Sequence, residues 1–130
     1  VQVDSAEDDF DCCKTGTVEL TAAADPADEL VPLLRPLPRY RFVQFELVIV
    51  NESYDALDFD QSDFRLKDED GDSHRAVLVV VHGRIPPLEI HEGESATASL
   101  LFELPQGVDP TELRFNMDHH VHRSVIYKFR

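Results

Sequence analysis

The chain has 130 residues, 42% of them hydrophobic and 29% charged, a balance that fits one globular domain and excludes a disordered acidic tail. Its 26 acidic residues against 12 basic ones give a formal net charge of -14. The basic residues are scattered along the sequence among carboxylates, so nucleic acid, which needs a basic footprint, is an unsuitable partner. No apolar run approaches the roughly 18 residues of a membrane span, and the longest, Ala76–Val81, has the length of a strand. Lysine is confined to Lys14, Lys67 and Lys128, arginine supplying the other nine positive charges. An acidic, lysine-poor surface suits high salt, where carboxylate repulsion is screened at short range; the competing reading is an acidic secreted protein.

In chain order, the start at Val1 shows neither a methionine nor a charged-then-apolar leader, a pattern expected once a signal peptide has been removed, and so points to an extracellular or cell-surface location. Residues 1–16 are read as a flexible acidic segment and residues 17–130 as the folded domain. The only cysteines, Cys12 and Cys13, are adjacent in this segment, which rules out a staple between distant strands. A vicinal disulfide, bonds to other chains and two free thiols are the three readings, the first two giving the pair a disulfide or redox role.

From Thr17 to Ala23, Val18, Leu20 and Ala22 alternate with polar residues, the period of a half-buried strand. Four prolines between Pro26 and Pro38 then oppose both a long helix and a central strand, leaving room for one helical turn over 27–34 with Asp25 as its cap. The clearest strand is Tyr40–Asn51, where Val43, Phe45, Leu47 and Ile49 share one face. Phe64–Lys67 begins another strand, Asp68–Asp72 forms a tight acidic turn with Gly71 at positive φ, and the hairpin returns into 76–82. Glu92-Gly93-Glu94 makes a further turn before a strand in which Ala96, Ala98, Leu100, Phe102 and Leu104 face one way. Leu113, Phe115 and Met117 mark the next strand, and Val125–Phe129 the last. About seven strands without a long helix predict an all-β, immunoglobulin-like antiparallel sandwich of two sheets.

Several of these segments also carry a family likeness. The apolar strand ending at Asn51, the run Asp63-Phe64-Arg65-Leu66-Lys67-Asp68 leading into an acidic glycine turn, Leu88-Glu89-Ile90-His91-Glu92-Gly93-Glu94, and Ala98–Pro105 closing on Phe-Glu-Leu-Pro stand in a familiar order. In that order and wording the chain resembles the telokin-like, immunoglobulin-fold domains of exported bacterial and archaeal proteins of unknown function, similar in fold to the mycobacterial immunoprotective extracellular antigen. The resemblance covers roughly residues 17–117 and implies an exported sandwich with no catalytic residues to transfer.

Two clusters offer binding chemistry. In Asp118-His119-His120-Val121-His122, the imidazoles of His120 and His122, two apart on an extended strand, project about 7 Å apart from one face, and with a third group, His119, Asp118 or a thiol of Cys12 or Cys13, they make a ligand set suited to copper or zinc. The competing reading is a polar loop that is rich in histidine. Asp68, Asp70 and Asp72, with Asp58, Asp60 and Asp63 just before them, concentrate hard oxygen donors suited to calcium, but the twelve-residue calcium loop is not completed, and acidic glycine turns commonly form without an ion. No nucleophile elbow, phosphate loop or zinc-protease helix is present in the sequence. The functional expectation is therefore a non-catalytic exported module that binds protein, self-assembly included, through exposed sheet edges. A transition-metal protein using residues 119–122 is the alternative.

Overall fold

A computed structural model describes residues 7–10, 16–27, 35–52, 57–81, 88–116 and 124–129. Among the described residues there are eleven strands: β1 (Glu7–Phe10), β2 (Gly16–Ala24), β3 (Tyr40–Asn51), β4 (Leu57–Phe59), β5 (Phe64–Asp68), β6 (Ser73–Arg75), β7 (Leu78–Val81), β8 (Leu88–Ile90), β9 (Ser95–Pro105), β10 (Pro110–Asn116) and β11 (Ser124–Lys128). All pairings are antiparallel. One sheet has the order β1-β2-β3-β9-β7, the second β11-β10-β5-β6, and β4 and β8 pair separately. The expected two-sheet sandwich is what forms, with more and shorter strands than the alternation alone marks.

Its centre is the eleven-pair ladder of β3 and β9, from Tyr40 opposite Pro105 to Val50 opposite Ser95. On β3 the residues Val43, Phe45, Leu47 and Ile49 are fully buried, as are Ala98, Leu100, Phe102 and Leu104 on β9. They form one cluster with Phe64 and Leu66 of β5, Leu113 and Phe115 of β10, and Tyr127 of β11, so the inner faces of the two sheets make a single core. Phe64 and Phe115 stack with centroids 4.8 Å apart, and Phe45 meets Phe102 edge-on at 6.0 Å. The Tyr127 hydroxyl donates to the Val18 carbonyl at 2.6 Å, which satisfies a buried phenol and ties the second sheet to β2 of the first.

Several local details differ from expectation. Glu7–Phe10, inside the acidic lead-in, pairs with Thr17–Glu19 and Gly16 as β1. The hairpin does not return through 76–82: β6 (Ser73–Arg75) completes it with β5, and the backbone then crosses to the other sheet, where β7 (Leu78–Val81) pairs with β9. Leu101 lies on the outer face of β9 and is nonetheless buried, in a small second cluster with Ala27 and Phe42. Asp25 forms a two-point ion pair with Arg41, at 2.6 Å to Nε and 3.1 Å to Nη2, while Arg41 also donates to the carbonyls of Pro105 and Val108. That hydrogen bond with Asp25 raises the Arg41 pKa further, against the opposing effect of burial. The helical turn expected over 27–34 falls almost wholly outside the described residues.

Candidate functional site

The acidic turn is built around one carboxylate. Along β5, Phe64, Leu66 and Asp68 alternate inward, so Asp68 is buried at the end of the core. Its Oδ1 accepts from the backbone N–H of Asp70 at 2.9 Å and of Asp72 at 3.0 Å, and its Oδ2 bonds His74 Nε2 at 2.7 Å. Gly71 closes the turn at φ +88°, as the sequence predicts. Burial pushes the Asp68 pKa up, but the His74 hydrogen bond and the two N–H donors outweigh it and hold the carboxyl below its ordinary value. Of the calcium candidates, Asp68 thus organises the hairpin, and Asp70 and Asp72 stand exposed beside it. Asp60 and Asp63, also in that acidic run, form a capping box around a short 3₁₀ turn, a signature legible in Asp60-Gln61-Ser62-Asp63. Among the described residues no three His, Cys, Asp or Glu side chains are grouped to hold a metal ion. Cys12, Cys13, His119, His120 and His122 lie outside the described residues.

The outward side of the same sheet has a different character. Because Phe64, Leu66, Leu113, Phe115 and Tyr127 point inward, their neighbours Arg65, Lys67, Arg114 and Lys128 point out. Register then assembles them: Arg65 sits directly opposite Arg75 of β6 on one side and Arg114 of β10 on the other. Two residues along, Lys67 is opposite Ser73 and Glu112, and Glu112 is opposite Lys128. A depression of about 360 Å³ on this face is lined by Arg65, Lys67, Gly71, Ser73, Glu112, Arg114 and Asn116. Basic residues that look scattered in sequence are here gathered in space: among the described residues five of the 12 share this face with one carboxylate, Glu112. Glu112 approaches Arg114 at 3.8 Å, and Arg65, Lys67, Arg75 and Lys128 have no ion-pair partner among the described residues.

The five-stranded sheet ends in two unlike edges. One is β1, with the sequence Glu-Asp-Asp-Phe; the other is β7, Leu-Val-Val-Val, preceded by Val77, which is 44% exposed. Charges on an edge strand discourage further pairing, and β7 has none, nor a proline, nor a bulge in its pairing with β9.

Comparison with solved structures returns the same architecture. The yjhA protein from Bacillus subtilis superposes with a TM-score of 0.59 at 14% identity, over 99% of this chain and 96% of that one. An uncharacterized β-sandwich protein from Clostridium difficile 630 gives 0.58 at 10% identity, over 97% and 92% of the two chains. MPT63, a secreted protein from Mycobacterium tuberculosis, gives 0.54 at 14% identity, over 90% and 85%. At these identities the likeness is one of fold. No curated protein matches the chain. No helix among the described residues is long and apolar enough to cross a membrane. Residues 14–124 match the model of a domain of unknown function, DUF4352, and the chain belongs to that family.

Proposed function

We propose that this domain is a non-catalytic, exported or cell-surface module that binds protein, further copies of itself included, by adding a strand to an exposed sheet edge. The observation that carries the reading is β7. Residues Val77–Val81 are five consecutive apolar residues at the margin of a sheet, and among the described residues only β9 pairs with β7. In an antiparallel ladder alternate backbone groups of an edge strand point away from its one neighbour, and such groups recruit an extended segment from another chain. Export is supported by the fold shared with the secreted MPT63 protein.

The test replaces the edge chemistry and leaves the core alone. Val80 is half-buried and alternates with the inward Val79 and Val81, so Val80→Lys places a charge in mid-edge without entering the core. Native mass spectrometry and sedimentation are expected to show wild-type assemblies that Val80→Lys converts to a folded monomer. A wild type that stays monomeric at high concentration, or assemblies untouched by Val80→Lys, contradicts the reading.

A further inference from the structure

We infer that the outer face of the four-stranded sheet is a binding site for a small, multiply charged oxyanion ligand of the phosphate or sulfate class, held by Arg65 and Arg114 with Lys67 beside them and Arg75 next in the row. This rests on cross-strand register and stands apart from the edge of the other sheet.

Directly opposed residues on adjacent strands have their Cβ atoms about 4.5–5.5 Å apart, and like charges in that relation destabilise a sheet. Arg65 has such a neighbour on both sides, Arg75 and Arg114, so three arginines stand in a row across three strands. Nothing about the fold requires this, because the outer face is wet and accepts any polar residue. Among the described residues the neutralising partners at hand are few: Glu112 is engaged with Arg114, and Glu69, Asp70 and Asp72 belong to the turn beyond Lys67, two residues along the strands from the arginine row. An anion placed between the guanidinium groups converts two repulsive pairs into attractive ones.

The chemistry of the row selects the anion. Each guanidinium presents a planar fork of N–H donors, and Arg65 and Arg114, from neighbouring strands, both line the depression, with Arg75 opposite Arg65 on the next strand. A carboxylate has two oxygens and is used up by two forks, whereas a tetrahedral oxyanion has three or four and can engage the forks of Arg65 and Arg114 together with Lys67. Lys67 adds a point charge at the near end, and Ser73, Gly71 and Asn116 line the same depression. Its volume of about 360 Å³ falls at the lower end of small-ligand sites.

Size follows from the charge elsewhere. The face carries a net charge of four positive, which leaves seven basic and 25 acidic residues on the rest of the chain. A long polyanion or an anionic membrane laid over the face meets that excess of carboxylates, while a ligand that fits within the row does not, since the Debye length at physiological salt is about 8 Å.

Inorganic pyrophosphate is the probe, titrated calorimetrically into the full chain with ionic strength held constant by sodium chloride. Saturable binding of one equivalent is expected, weakened about tenfold or more in Arg65→Gln and in Arg114→Gln, as loss of a charged hydrogen-bonding fork implies. Glu46→Gln, on the outward face of β3 in the other sheet, is expected to bind like the wild type. The two arginine variants are independent, so misfolding of one leaves the other as the test. Absence of saturable binding, or unchanged affinity in a folded arginine variant, overturns the site. Binding to vesicles containing phosphatidylglycerol without binding of pyrophosphate overturns the assignment to a small ligand.

Discussion

The two sheets bury equivalent inner faces and present opposed outer ones. Along β3 and β9 every inward residue of the central ladder from Val43 to Ile49 is apolar, and the same holds for Phe64, Leu66, Leu113 and Phe115 in the smaller sheet. Outward, the large sheet shows Glu46, Val48, Thr97 and Ser99 in one stretch and the small cluster around Leu101 in another. The small sheet shows Arg65, Lys67, Arg75, Arg114 and Lys128 in a chain whose net charge is -14. Inner faces are dictated by burial, and any apolar set of the right volume serves. Outer faces are under no such constraint, so a segregation of charge that works against sheet stability is the part of the molecule that points to a ligand.

The comparison is broken most severely from the inside. Phe102→Ala removes a fully buried ring that touches Phe45 and is expected to cost about 3–5 kcal/mol in urea unfolding, a large fraction of the stability of a domain of this size. A loss below about 1 kcal/mol contradicts a single shared core. Next comes Asp68, the inward polar residue of the small sheet. Asp68→Ala leaves two backbone N–H groups and His74 without their acceptor and is expected to cost about 2–3 kcal/mol. Because the folded carboxyl has a lower pKa than the unfolded one, the folded state binds fewer protons. Its contribution is complete above the unfolded value of about 3.9 and is lost as pH falls through the lower folded value. Stability measured from pH 7 down to pH 2 should therefore show an acid limb that is shallower in Asp68→Ala; identical limbs contradict that assignment.

Much of the fold was legible in the residues themselves, for a physical reason. β2, β3, β5, β9, β10 and β11 are long enough to display period-two burial, and their limits fall within a few residues of the alternating segments. β4, β6 and β8 have three residues each, too few to show a period, and they exist because a partner strand supplies hydrogen bonds. The crossing between sheets at Ala76 and Val77 left no mark in an unbroken apolar run. Punctuation was legible but its joint purpose was not. Asn51 and the Gly93-Glu94 turn lie some forty residues apart, yet Asn51 Nδ2 donates to the Ile90 carbonyl, Gly93 N–H to the Asn51 carbonyl, and Asn51 N–H to the Glu94 carbonyl. The cationic face was the least legible feature. Arg65, Arg75 and Arg114 become neighbours only through register, and register between segments of unrelated sequence is not written in any one of them.

The most direct test of the central claim, that the arginine row is held at a cost to the apoprotein, is the stability of Arg65→Gln against the wild type in chloride buffer free of multivalent anions. At about 0.1 M salt the Debye length is about 10 Å, so the two arginines directly opposite Arg65 act on it more strongly than carboxylates further off. Arg65→Gln is expected to be more stable than the wild type by about 0.5 kcal/mol at that salt, the difference shrinking toward zero at 1 M, where screening reaches about 3 Å. A variant less stable than the wild type at 0.1 M salt would show that Arg65 is stabilised by the surrounding carboxylates, and would contradict the claim.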